Sequence, residues 1–171
     1  MVNRGNQLSK FINKISYYLA TGFGSGFLPA PGTAGSVVAV VIWFFSLQYL
    51  PVWGQGCFIV MSFFVGVLII QQASLELSKQ NHNNPNHNHD PKQIVWDEFV
   101  GMWIALLFIP SASFYSVIIA FSAFRFFDIF KPFPIGWLDQ KLDNSWGVLL
   151  DDVVAGLFAG IFTWVIAALV L

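Results

Sequence analysis

Hydrophobic and polar positions along the chain fall into long blocks rather than a fine alternation. Five apolar blocks (33–50, 56–71, 97–109, 113–127 and 152–171) carry charge only near their ends, and they alternate with polar stretches. Blocks of this length without strict period-two alternation predict helices. Pro51 with Gly54, and Pro110, mark the turns between the first and second blocks and between the third and fourth. The third and fourth blocks are shorter than the roughly 20 residues that a helix needs to span the hydrocarbon. They are therefore expected either to begin inside the headgroup layer or to form a tight hairpin that crosses only in part. Ahead of the first block, Leu8, Phe11, Ile12, Ile15, Tyr18 and Leu19 recur at helical spacing, with Lys10 and Lys14 on another side. Residues 1–20 read as an amphipathic helix lying on a membrane surface, not as a cleavable signal. The expected architecture is all-α: a single domain over 1–171, a polytopic membrane bundle of about five apolar helices plus this interfacial helix.

Composition supports the membrane reading. The chain is 56% hydrophobic and 10% charged, whereas about a quarter of the residues of a soluble domain are charged. A net charge of −1 excludes nucleic acid as a partner, and nothing calls for an obligate protein partner. Cys57 is the single cysteine and sits in an apolar run, which excludes a disulfide framework. All seventeen charged residues lie between Arg4 and Lys14, Glu76 and Glu98, or Arg125 and Asp152. Five crossings would bring all three stretches to one face, which the positive-inside rule makes cytoplasmic. The polar tract 80–92, with His82, His87 and His89, is read as a solvated loop in preference to a metal-binding one.

The acids are placed unusually. Asp97-Glu98 and Asp151-Asp152 each stand where a charged stretch gives way to an apolar block, and Asp128 stands near the end of the fourth. Acids at a helix N-terminus gain about 0.3–1 kcal/mol from the macrodipole, which suffices for one but not for four, and works against Asp128. Ionisable groups at membrane depth cost a few kcal/mol each and are usually paired or functional. A divalent cation would neutralise several at once, and an all-carboxylate set favours Mg²⁺ or Mn²⁺ over Zn²⁺. Gly156 and Gly160, with Ala155 and Ala159, form a small-residue stripe that lets another helix approach, with Gly101 as its counterpart.

An anion would find partners on the same face. The glycine-rich run 22–26 and the run 31–36, including Gly32, Thr33 and Ser36, precede the first block and could present backbone N–H groups to a phosphate. Arg125 and Lys131 flank Asp128 and could grip phosphate oxygens. Acids, cations and an anion cradle at a headgroup layer point to phosphoryl chemistry on a lipid. The rival reading is a transporter or flippase with an acidic ion site, for which charge through the membrane depth would be expected.

Four ordered motifs carry a resemblance: Pro31-Gly32-Thr33-Ala34-Gly35-Ser36, Val95-Trp96-Asp97-Glu98-Phe99-Val100-Gly101, Arg125-Phe126-Phe127-Asp128-Ile129-Phe130-Lys131-Pro132-Phe133-Pro134, and Asp151-Asp152-Val153-Val154-Ala155-Gly156. With them the chain, from about residue 22 to 160, resembles the phosphatidylglycerophosphatase A family. The resemblance implies a Mg²⁺-dependent hydrolase in the bacterial inner membrane, multi-pass, with a cytoplasmic active site. Its substrate would be phosphatidylglycerophosphate and its product phosphatidylglycerol. It also places family acids on Asp90 and Asp139. The loop before Pro31 is one residue short of the family pattern, the His/Asn tract reads as an insertion, and Asn144-Ser145 replaces an expected glycine pair. On this reading Asp97, Glu98, Asp128, Asp151 and Asp152 form the catalytic and metal-holding set, with Asp90 as a further ligand. Arg125, Lys131, Gly32, Thr33 and Ser36 take the phosphate.

Overall fold

The computed structural model describes residues 4–80, 93–110, 112–142 and 144–170, so Asp90 and the His/Asn tract from Asn81 onward lie outside the described residues. The described residues form helices and no strand: α1 (Arg4–Ala20), α2 (Pro31–Phe45), α3 (Val52–Gln80), α4 (Trp96–Leu107), α5 (Phe114–Phe130), α6 (Ile135–Lys141) and α7 (Ser145–Val170). Local sequence sets several of the ends. Pro31 opens α2, where a missing N–H costs nothing. Ser113 caps α5 by accepting from the Ser116 N–H. Asn144 accepts from the N–H groups of Trp146 and Gly147 at the start of α7.

Among the described residues, three stretches are long and apolar enough to cross a membrane: Pro31–Tyr49, Val52–Ser74 and Ser145–Leu169. The expectation of about five such helices is met only to this extent. At 1.5 Å per residue, α4 is about 18 Å long and α5 about 26 Å, against roughly 30 Å of hydrocarbon. The reason that α4 is apolar all round is burial in protein. Phe99, Val100, Met102 and Trp103 are each at most 2% exposed, and α2, α3, α5 and α7 pack around the helix. A helix apolar on every side is what a central position requires. The buried Trp103 indole is satisfied there, since its Nε1 donates to the Ala39 carbonyl at 2.9 Å.

α4 and α7 approach one another backbone to backbone. A Cβ on Gly156 would lie 2.3 Å from the Gly101 carbonyl oxygen, and one on Gly101 would lie 2.6 Å from that of Asp152. Both glycines therefore let backbone meet backbone, which fixes the first turn of α4 beside the acidic turn of α7. Near the start of α3, a Cβ built on Gly56 would meet no atom within 4 Å apart from its chain neighbours and the backbone of its own helix. Gly56→Ala should therefore raise thermal stability by up to about 1 kcal/mol, measured as a melting temperature in detergent.

Candidate active site

The acids converge from three helices. Asp97 and Glu98 stand in the first turn of α4, Asp128 in the last turn of α5, and Asp151 and Asp152 on α7. The sequence reading put the last pair at a helix start. α7 instead begins at Ser145, so Asp151 and Asp152 lie nearly two turns inside it, 4% and 3% exposed. The helix N-terminus cannot account for them there, because its field fades beyond the first turn.

Oxygens of Asp97, Glu98 and Asp152 lie within 4.8 Å of one another. They open on a cavity of about 240 Å³ that Asp128, Asp139, Asp151, Arg125, Lys131, Pro31 and Gly32 also line. Six carboxylates against two cations is a formal excess of four negative charges. Glu98 Oε2 and Asp151 Oδ1 are buried with no hydrogen-bond partner, a costly arrangement unless something else satisfies them. Clustered hard oxygens, orphaned and negatively charged, fit a divalent cation such as Mg²⁺.

The two cations are held in place. Arg125 Nη1 lies 2.7 Å from Asp128 Oδ2 and donates to Ser36 Oγ at 3.4 Å, while Ser36 Oγ donates to the Gly32 carbonyl at 2.8 Å. Ser36, fully buried, thus orients Arg125. Thr33 does not line the cavity. Lys131 ends α5 in the left-handed region, φ 43°. From there its Nζ reaches Asp139 at 2.5 Å and Asp151 at 2.6 Å. Burial works against its charge, but the hydrogen bonds it donates to both carboxylates, with their negative charge, outweigh that and raise its pKa above that of an ordinary lysine. Lys131 stays cationic.

Gly32 is where the chain must come close. A Cβ there would lie 2.5 Å from Glu98 Oε1 and 3.0 Å from Arg125 Nη1. Gly32→Ala should push both side chains aside and cut turnover about tenfold or more, with the melting temperature little changed because the displaced atoms are side-chain ends.

The glycine-rich run 22–26 does other work. A Cβ on Gly26 would lie 2.0 Å from the Gln93 carbonyl oxygen, and one on Gly22 would lie 2.6 Å from Val95. The Val95 N–H donates to the Ala20 carbonyl at 2.8 Å. This run anchors the start of α4 and does not line the cavity, so the phosphate-facing part of the expected cradle shrinks to Pro31 and Gly32. Sequence reasoning left two contributors without a role: α6, and on it Asp139. The missed signal was the lysine eight residues earlier, whose charge needed partners.

Comparison with known proteins now decides the class. The sequence model of phosphatidylglycerophosphatase A matches residues 18–167. The chain belongs to the phosphatidylglycerophosphatase A family. A Haemophilus influenzae phosphatidylglycerophosphatase A is 39% identical over 96% of this chain and 97% of its own length. One from Escherichia coli is 35% identical over 87% of this chain and 82% of its own length. A Bacteroides thetaiotaomicron protein, provisionally named a phosphatidylinositol-3-phosphatase, is 37% identical over 86% of this chain and 93% of its own length. No solved structure matches. Family membership makes the cluster a lipid phosphatase's candidate active site and sets the transporter reading aside.

Proposed function

We propose that this chain hydrolyses the terminal phosphate monoester of phosphatidylglycerophosphate, yielding phosphatidylglycerol and inorganic phosphate. The observation that carries the reading is the excess of carboxylates in a cavity that must accept an anion. A phosphate monoester cannot be held against four surplus negative charges unless a cation intervenes. We take that cation to be Mg²⁺, held by Asp97, Glu98 and Asp152, with Asp128 and Asp151 adjoining. Polarisation of a phosphoryl oxygen is the chemistry that a divalent cation supplies in such a site when bound.

The protein's own groups do the remainder. Arg125, oriented by Asp128 and Ser36, takes two phosphate oxygens, and Lys131 offsets charge on a third as the transition state forms. A water attacks phosphorus and passes its proton to a neighbouring carboxylate. The bond from phosphorus to the glycerol oxygen breaks, and that oxygen takes up the proton held by the carboxylate as phosphatidylglycerol leaves. Detection of a phospho-aspartate in acid-quenched protein would overturn water attack in favour of an aspartate nucleophile. Arg125→Lys should raise KM by about tenfold or more, because a lysine cannot reproduce the two-pronged contact, in a phosphate-release assay over a range of lipid concentration.

For topology, we place the site on the cytoplasmic face of a bacterial inner membrane. Support comes from the lysines and arginines, and the parity does not depend on α4 and α5. Two full crossings, or one hairpin that enters and leaves on the same side, return the chain to the same face. In either case α1 lies along that face. Phosphate release from a panel including phosphatidylglycerophosphate, phosphatidic acid and phosphatidylinositol 3-phosphate tests the substrate. Preference for a lipid other than phosphatidylglycerophosphate would overturn it.

A further inference from the structure

The cavity is too small for a whole phospholipid. At about 240 Å³ it falls below the roughly 300–1,000 Å³ of pockets that enclose a drug-sized ligand, and its walls are charged. It takes a headgroup, so the diacylglycerol part must rest on an adjoining apolar surface. One rim of the cavity supplies such a surface. Lys131 lines the cavity, and the phenylalanines on either side of it in sequence, Phe130 and Phe133, are 70% and 84% exposed. Phe126, 52% exposed, lies against Phe130 with ring centroids 4.7 Å apart, and Ile129 is 62% exposed. The last two turns of α5 therefore carry Arg125 and Asp128 toward the site and Phe126, Ile129 and Phe130 away from it. Ile118, Phe114 and Tyr115 continue the exposed apolar surface along α5.

Resting on the phosphatase reading above, we propose that Phe126, Ile129, Phe130 and Phe133 form the lipid portal. The acyl chains of the substrate lie against these side chains in the leaflet while the headgroup turns around the C-terminus of α5 to reach the carboxylates. Aromatic rings suit this depth, where one side of the protein is wet and the other apolar. The fixed left-handed turn at Lys131 keeps the ammonium on the headgroup side of two rings that point into lipid.

The test uses the full chain and two substrates: dioleoyl phosphatidylglycerophosphate in phosphatidylcholine vesicles, and its water-soluble dihexanoyl analogue. The double variant Phe130→Ser/Phe133→Ser should raise KM for the dioleoyl lipid by about tenfold, the size expected from partial burial of a ring. Its kcat should stay unchanged, as should both constants for the dihexanoyl substrate. Phe130→Leu/Phe133→Leu should restore most of the loss. Equal losses on both substrates, or no loss on either, would overturn the portal. A dioleoyl analogue carrying a photoreactive diazirine in its acyl chain should label residues 126–133 of the wild-type protein whatever the variants do. Labelling confined to other segments would equally overturn it. Wild-type protein inactive on both substrates would instead refute the phosphatase reading, and the portal with it.

Discussion

Asp152→Asn is expected to lower phosphate release by about a thousandfold or more, the scale seen when a preorganised electrostatic contact to a transition state is removed, and to do so without unfolding the protein. Asp152 is 3% exposed, and one of its oxygens lies within 4.8 Å of oxygens of both Asp97 and Glu98. A structural acid in that position would stabilise the fold, and its loss would destabilise it. A cluster of buried like charges does the reverse, since each carboxylate is taken from water and set against its neighbours. In metal-free protein Asp152→Asn should therefore melt at the same temperature or higher than wild type, while activity disappears. Such opposition of stability and activity marks a site kept for chemistry. Asp97→Asn and Glu98→Gln should follow the same pattern, and normal turnover in Asp97→Asn would remove α4 from the site.

Gly156→Leu is the second change with a large expected effect, and it works through the backbone. Its Cβ alone would stand 2.3 Å from the Gly101 carbonyl oxygen, a backbone atom of a buried helix that no rotamer change can move. α4 and α7 must separate, at a cost of about 1–3 kcal/mol for overpacking and more for so large a side chain. The acids of α4 and α7 would part with them. Expected together are a lower melting temperature and loss of turnover that excess Mg²⁺ does not restore. Gly160→Ala first meets the Phe108 side chain, with Cδ2 2.6 Å away, rather than backbone, and should be milder on both counts. Full activity in Gly156→Leu would show that the α4–α7 approach does not set the site.

Much of this was legible in the chain itself. Acids cost too much at membrane depth to be incidental, so the pairs Asp97-Glu98 and Asp151-Asp152 stood out from sequence. So did the pairing of Gly101 with the stripe containing Gly156, because only small residues permit such an approach. What the apolar pattern could not show was which segments face lipid and which face protein. The α4 residues are as apolar as a span yet too few to make one, and burial inside the bundle produces the same composition as burial in a bilayer. The start of α7 was misplaced for a related reason. Ser145 to Leu150 is mostly apolar but sits among polar residues, and the capping Asn144 was read only as a missing glycine. Placing Asp151 and Asp152 inside the helix removes the N-terminal dipole as an account of them and leaves two buried acids, the setting in which the metal-holding role expected from sequence would be exercised. Ser36 and Asp139 required three dimensions, since their work is to aim Arg125 and Lys131 across 89 and 8 residues of chain.

The most direct measurement is phosphate release from phosphatidylglycerophosphate by the purified protein before chelation, after chelation with EDTA, and after Mg²⁺ is returned. Loss on chelation and recovery with Mg²⁺, in wild type but not in Asp152→Asn, is the result predicted. Turnover that persists in EDTA, or that Asp152→Asn retains, would contradict a cation-dependent phosphatase built on these carboxylates.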